Sequence, residues 1–319
     1  MATFAPVTPQ VTNTTAATFI PEIWSDEIIV AYEQNLVLAN LIKKMSMKGK
    51  KGDTIHVPTP VRGTASKKLS QTAVAVQAPV TEELLINVDQ HWEYSVMIED
   101  ITGVQALSSL RRFYTEDAGY AMAKNLDTVL FDLGIALGGT IAIDANPATP
   151  ANWSGTRSFQ PLVTTGSLRA FDSTGAVDPS TFTDASLRDG LQELDDNDVP
   201  MSGRFFVIPP SLVNTIRGVT QFSSSDFVNF KQTSTGEIGN LYGVPIFVST
   251  NVPSIAVAGG PVRASLLGHK DAYVCAEQIG VRTQTQYKQE FLSTLMTADR
   301  LYGRQVYRPE NAINIMTLA

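Results

Sequence analysis

The sequence predicts an α+β fold in which many strands surround one long helix, and three observations carry that expectation. Leu107, Leu110, Tyr114, Ala118, Met122, Leu126, Leu130, Leu133 and Leu137 advance 30 residues in eight steps, a mean of 3.75 per step, which is helical spacing. From Leu84 to Glu99 apolar and polar side chains alternate with period two, as strands with one wet face do. Arg204-Phe205-Phe206-Val207-Ile208-Pro209-Pro210 holds the continuous apolar run of a strand covered on both faces, and Ser211 to Ile216 reads as a helix start behind it.

Taken in order, Met1 to Thr18 is rich in Thr, Ala and Pro and has neither period, so it reads as an extended or mobile arm. A short helix follows, with Ile28, Tyr32 and Leu36 at i, i+4 and i+8, and Pro21 and acidic residues near its start. Between Lys43 and Lys68 lie eight of the chain's 24 basic residues against one acid, Asp53. Within this segment Thr54-Ile55-His56-Val57 alternates as a strand, Pro58, Pro60 and Gly63 interrupt it, and Ala73-Val74-Ala75-Val76 is expected to resume it. Leu84, Ile86 and Val88, then Trp92, Tyr94, Val96 and Ile98, mark a return leg. The whole reads as a long two-stranded excursion, basic going out and acidic coming back.

The long helix, of about 45 Å at 1.5 Å per residue, is expected to stop at Gly138-Gly139. Asn146 to Ser180 is dense in Pro, Gly, Ser and Thr and reads as loops with a short hairpin. Thr183 to Leu194 is a helix with Leu187, Leu191 and Leu194 on one face, closed by the acidic turn Asp195-Asp196-Asn197-Asp198. Gly243 to Ser249 is a short strand, and the last fifty residues are strand-like at 272–276, 281–287, 301–307 and 312–316.

Composition narrows function before any motif does. With 43% hydrophobic residues, 22 Gly and 17 Pro, the 319-residue chain is folded rather than disordered or collagenous. No stretch approaches the roughly 20 apolar residues of a membrane-spanning helix, and the first residues lack the charged start and apolar core of a signal peptide. One cysteine, Cys275, leaves no internal disulfide and no cysteine-based zinc site. A net charge of −7 argues against a general electrostatic binder of phosphate backbones.

Signatures of catalysis are absent from the text: there is no phosphate-binding Gly-rich loop, no Gly-x-Ser-x-Gly elbow and no His-Glu-x-x-His helix. Lys48-Gly49-Lys50-Lys51-Gly52-Asp53-Thr54 runs into a strand, so no helix N-terminus would meet a phosphate. His56, His91 and His269 stand far apart and read as packing, and Cys275 as a small buried thiol in an apolar strand. Asp195, Asp196 and Asp198 lack the glycine and distal Glu of an EF-hand and read as a solvated turn. No catalytic, cofactor or metal residue is therefore assigned. No Phe, Trp or Tyr lies between Lys43 and Lys68, so that cluster fits pairing with an acidic protein surface better than sequence-tolerant nucleic-acid binding.

The order of pieces, arm, short helix, charged two-stranded loop, lone long helix, α/β unit and returning strands, resembles the major capsid proteins of tailed bacteriophages, the HK97-like fold. Leu194 to Pro200 followed by Gly203 to Pro210, Leu241-Tyr242-Gly243-Val244-Pro245-Ile246 with Ser249 and Val252-Pro253, and Asp299 to Gly303 with Val306 to Pro309 are similar to that family's axial and closing segments. The resemblance covers essentially the whole chain. It implies an N-terminal arm and short helix over 1–45, an extended E-loop over 46–90, and a peripheral domain over 91–180 with a spine helix at about 107–138. An axial domain over 181–265 and return strands over 266–319 complete it.

It further implies a structural subunit of an icosahedral virion shell, assembled in the bacterial host cytoplasm from hexamers and pentamers of identical chains. Scaffolding, portal and cement proteins are the implied partners, and DNA is enclosed without sequence-specific binding. Two other classes remain open: an encapsulin-like nanocompartment shell, and an enzyme with an unrecognised site. Candidate inter-subunit contacts are Lys48, Lys50, Lys51, Arg62, Lys67 and Lys68 on the basic leg. The acidic candidates are Glu82, Glu83, Glu93, Glu99, Glu116 and Asp117, because outside the basic segment 16 basic residues face 30 acidic ones.

Overall fold

The computed structural model describes residues 10–11, 36–49, 51–60, 63, 65, 67–68, 70–71, 73–74, 76, 81–99, 109–135, 157–161, 167–170, 181–218, 237–257 and 260–318. Their elements run β1 (Gln10–Val11), β2 (Lys43–Ser46), β3 (Thr54–Pro60), β4 (Thr81–Asn87), β5 (Gln90–Glu99), α1 (Ser109–Ile135), β6 (Ser158–Pro161), β7 (Leu168–Ala170) and α2 (Asp184–Asp196). They continue with β8 (Arg204–Ile208), α3 (Pro210–Gly218), β9 (Glu237–Leu241), β10 (Val244–Val248), β11 (Ser254–Val257), β12 (Gly260–His269), β13 (Tyr273–Lys288), β14 (Ser293–Val306) and β15 (Ala312–Leu318).

Helix α1 spans 27 residues, about 40 Å. Its periodic positions Ala118, Met122, Leu126 and Leu130 are buried, with Ala123 and Phe131 beside them, and pack with Tyr273, Cys275, Met296, Ala298 and Tyr302 of a five-stranded sheet. That sheet has the order β1-β5-β14-β13-β2, with β5, β14 and β13 antiparallel and both outer strands parallel to their neighbours. Residues on its opposite face, Val274 and Ala276, form a smaller core with Met47, Ile86 and Val88. The sheet is thus covered by the helix on one face and, at one end, by the root of the β3–β4 hairpin on the other.

A second sheet has the order β7-β6-β15-β12-β8-β10-β9, with β11 added on β12. Every residue of β8 is buried, and Phe206 and Ile208 share a core with Leu187 and Leu194 of α2, Leu212 and Ile216 of α3, and Ile313 and Ile315 of β15. Thr183 caps α2, its hydroxyl accepting from the Ser186 amide while Ser186 Oγ accepts from Thr183 N. The acidic turn ends this helix, and Asp198 at φ 57° takes the left-handed conformation there.

The two-stranded excursion, the helix over 183–194, the strands at 204–208 and 244–248 and a hairpin within 146–180 all lie where the sequence places them. The run 73–76 does not. Ala73, Val74 and Val76 are irregular, with Val74 68% and Val76 93% exposed, and the returning strand starts instead at Thr81. β-Branched alternation alone makes no strand where no neighbour covers it. All of the short helix but Leu36, most of the arm and the Gly138-Gly139 stop lie outside the described residues, as do the flanks of α1.

Candidate functional site

Strands β3 and β4 pair antiparallel without interruption from Thr54↔Asn87 to Pro60↔Thr81. Two strands with nothing behind them are marginal, so the root is where this hairpin is held. Ile86 and Val88 are buried against Val274 and Ala276, with Ile55 and Val57 half-buried beside them. The Val88 amide donates to Asp53 O at 2.8 Å and Gln278 Nε2 to Gly52 O at 2.9 Å. Gly303 of β14 lies directly beneath: a Cβ there would meet the Asn87 carbonyl oxygen, with Asn87 C at 3.0 Å and Val88 Cα at 3.1 Å.

Of the basic candidates, Lys48 is tied within its own chain, Nζ to Glu277 Oε2 at 3.2 Å. Lys51, Lys67 and Lys68 are exposed and make no ion pair among the described residues. Lys50 and Arg62 lie outside the described residues.

Of the acidic candidates, Glu83 pairs across the hairpin with His56, and Glu82 is placed on β4 by its backbone. Glu93 accepts from Ser95 Oγ at 3.3 Å, and Glu99 stands half-buried at the end of β5 opposite Ser293. Asp117 accepts from Tyr94 Oη at 2.7 Å. Burial and that carboxylate push the Tyr94 hydroxyl well above its ordinary value, so it remains a donor. The structure therefore ties β5 to the α1 acid Asp117 through Tyr94, whereas Lys48 and Lys51 precede β3 and Lys67 and Lys68 lie between β3 and β4.

Two of the three histidines are not packing residues. His269 is buried, with Nε2 at 2.9 Å from Ser202 O, but His56 and His91 are exposed and face carboxylates. His91 Nε2 lies 3.2 Å from Asp299 Oδ2, and Arg282 holds the same carboxylate with Nε–Oδ1 at 2.7 Å and Nη2–Oδ2 at 2.8 Å. The Arg282 bonds, followed by His91, hold the Asp299 carboxyl below the usual value against the opposing effect of burial. The native state then binds fewer protons here than the unfolded chain, so this contribution is full above the ordinary carboxylate value of about 3.9 and is lost as pH falls. The melting-temperature gap between the unaltered chain and Asp299→Asn should accordingly narrow below about pH 4; a gap independent of pH would refute the assignment.

Sequence reasoning also missed Asp127. It is fully buried on α1, and its oxygens accept from Val37 N at 2.9 Å and Ala39 N at 3.1 Å, with Asn251 as a further donor. Burial raises this carboxyl despite those donors. A lone acid inside an apolar helical stripe is the signal that points to it. Cys275 is buried in apolar surroundings that push its thiol up, and no group of three metal-ligating side chains occurs among the described residues. What this surface offers is charge, edges and exposed apolar side chains, the chemistry of association.

A family model described as phage capsid protein matches residues 18–318. The chain belongs to the phage capsid protein family. This capsid protein shares its fold with a Mycobacterium phage Che8 chain at TM-score 0.62 and 20% identity, covering 98% of each. It matches the capsid structure of Cyanophage P-SCSP1u at TM-score 0.64 and 17% identity over 99% of this chain and 92% of that one. It also matches the capsid of Ralstonia phage GP4 at TM-score 0.64 and 13% identity over 100% and 98%. No curated protein sequence matches significantly. The α+β architecture of this capsid protein is that of phage capsid chains.

Proposed function

We propose that the chain is the major capsid protein of a tailed bacteriophage, which self-assembles through hexamers and pentamers into the icosahedral shell around a double-stranded DNA genome. The observation that carries this is the family match over nearly the whole chain, and the fold shared with two phage capsids and a Mycobacterium phage Che8 chain supports it. The work of such a protein is structural rather than catalytic. The shell assembles in the host cytoplasm with scaffolding and portal proteins. Residues 1–45 serve as the arm, 46–90 as the extended loop, 91–180 and 266–319 as the peripheral domain around α1, and 181–265 as the axial domain.

A net charge of −7 suits a wall that contains DNA without gripping it. An encapsulin-like nanocompartment uses the same kind of wall around protein cargo, and the family favours the virus. Purified native particles should contain double-stranded DNA; particles filled with an enzyme and free of DNA would overturn the assignment.

Between subunits, Lys50, Lys51, Arg62, Lys67 and Lys68 of one copy meet Glu82, Glu93, Glu99 and Glu116 of the next, while Lys48, Glu83 and Asp117 keep their partners within the chain. Each exposed pair contributes about 0.2 to 1 kcal/mol, repeated in every subunit. Changing Lys50, Lys51, Lys67 and Lys68 to Glu is expected to leave the far-ultraviolet circular dichroism intact while lowering particle yield severely, and salt should slow assembly of the unaltered chain. Normal yield from the charge-reversed chain at every salt concentration would place the contact energy in apolar packing instead.

A further inference from the structure

On both sides of the five-stranded sheet, the described residues cover the second strand in, β13 or β5, only in part. Strand β2 pairs with β13 from Lys43↔Val274 to Ser46↔Glu277 and stops, while β13 continues to Lys288 against β14. On the other side β1 pairs with β5 only at Met97 and Ile98. Among the described residues, no strand covers the outer side of β13 from Arg282 to Gln286 or of β5 from His91 to Val96.

Open edges are ordinarily guarded by prolines, inward charges, bulges or shortness. The register shifts in β13 fall between Glu277 and Arg282, and beyond them pairing runs one to one from Arg282↔Asp299 to Lys288↔Ser293. Arg282-Thr283-Gln284-Thr285-Gln286 has no proline, and its one charge is held by Asp299. Thr283 and Thr285 are half-buried and alternate with exposed Arg282, Gln284 and Gln286, as in a regular strand, and no strand pairs with its outer side among the described residues. Thr283 Oγ1 is buried with no hydrogen-bond partner among the described residues.

The two edges also differ in charge. With Lys48 paired to Glu277 and Arg282 to Asp299, Lys51 and Lys288 remain beside β13 without an ion pair among the described residues. On and beside β5 stand Asp89, Glu93 and Glu99, likewise in no ion pair there. Because β5 and β13 are both antiparallel to β14, they run the same way, and copies related by rotation meet these edges head to tail. Such heterologous contacts close into rings.

We propose that the β13 edge from Arg282 to Gln286 pairs with the β5 edge from His91 to Val96 of a second copy, so that one sheet continues from subunit to subunit. The pairing rests on the shell assignment and names the contact that closes a capsomer. Main-chain hydrogen bonds supply the adhesion, as in strand addition generally, and the charges of Lys51 and Lys288 against Glu93 and Glu99 favour this partner over the like edge.

Amide hydrogen exchange on the full chain, unassembled and in particles, tests it. In particles, about half the amides of each edge, those pointing outward, should slow on the order of 100-fold together, while the unassembled chain exchanges them as open edges. Slow exchange already in the unassembled chain, fast exchange in particles, or slowing at β13 without β5 would each overturn the proposal. Gln284→Pro and Thr285→Pro give a second readout, since neighbouring amides of a strand point to opposite sides. Whichever variant keeps the unaltered melting temperature should lose at least about tenfold in particle yield; normal yield from it would also overturn the pairing. If the unaltered chain forms no particles, sedimentation shows it directly. The shell assignment then falls, and this pairing with it, in a way distinct from particles whose edges still exchange.

Discussion

Gly303→Ala is expected to lower stability by about 3 kcal/mol and to detach the hairpin root from the sheet. The added methyl would lie inside the contact distance of the Asn87 carbonyl oxygen and at 3.0 to 3.1 Å from Asn87 C and Val88 Cα. All three are backbone atoms, at the corner where β4 turns into β5, and they cannot swing aside as the end of a side chain does. Either β14 bows away from β5 and β13, breaking ladder bonds on both sides, or the β3–β4 root lifts and exposes Ile86 and Val88. Thermal unfolding of the variant measures the loss, and exchange at Ile86 and Val88 reports which side moves. An alanine variant with unchanged melting temperature would show that the corner is loose.

Asp127→Ala should cost a similar amount, about 3 kcal/mol. The carboxylate is the acceptor for the buried amides of Val37 and Ala39, which start the 3-10 turn Leu38–Asn40, and it ties that turn and Asn251 to α1. Removing it takes their acceptor from those amides beside the core of Leu38, Leu126 and Leu130. Asp127→Asn keeps one acceptor oxygen and should lose markedly less. The comparison is made by denaturant unfolding of the three chains; equal stability of the alanine variant and the unaltered chain would contradict the account of this junction.

These two residues show where a sequence stops being legible. The spacing of Tyr114 to Leu133 is set by one helix burying one stripe, so α1 is legible directly, as is β8 from its unbroken apolar run. The pairing of β3 with β4 also followed from local alternation, because a hairpin joins segments close in the chain. Asp127, by contrast, meets Val37 at 90 positions' separation, and His91 meets Asp299 at 208. Such partners leave no trace in local pattern, and Gly303 matters only because another strand's backbone crosses it. The run 73–76 differs the other way: its pattern suits a strand, but no strand pairs with Ala73, Val74 or Val76 among the described residues. Of the contact candidates, the charge is legible in the sequence, whereas the internal partners that already occupy Lys48, Glu83 and Asp117 are not.

The most direct test of the central claim is the mass and shape of the purified chain under assembly conditions, with its scaffolding partner and alone, by sedimentation velocity and electron microscopy of the same samples. A capsid protein predicts closed, hollow particles of uniform diameter built from the 34.5 kDa chain. A chain that remains a compact monomer under every condition would contradict it.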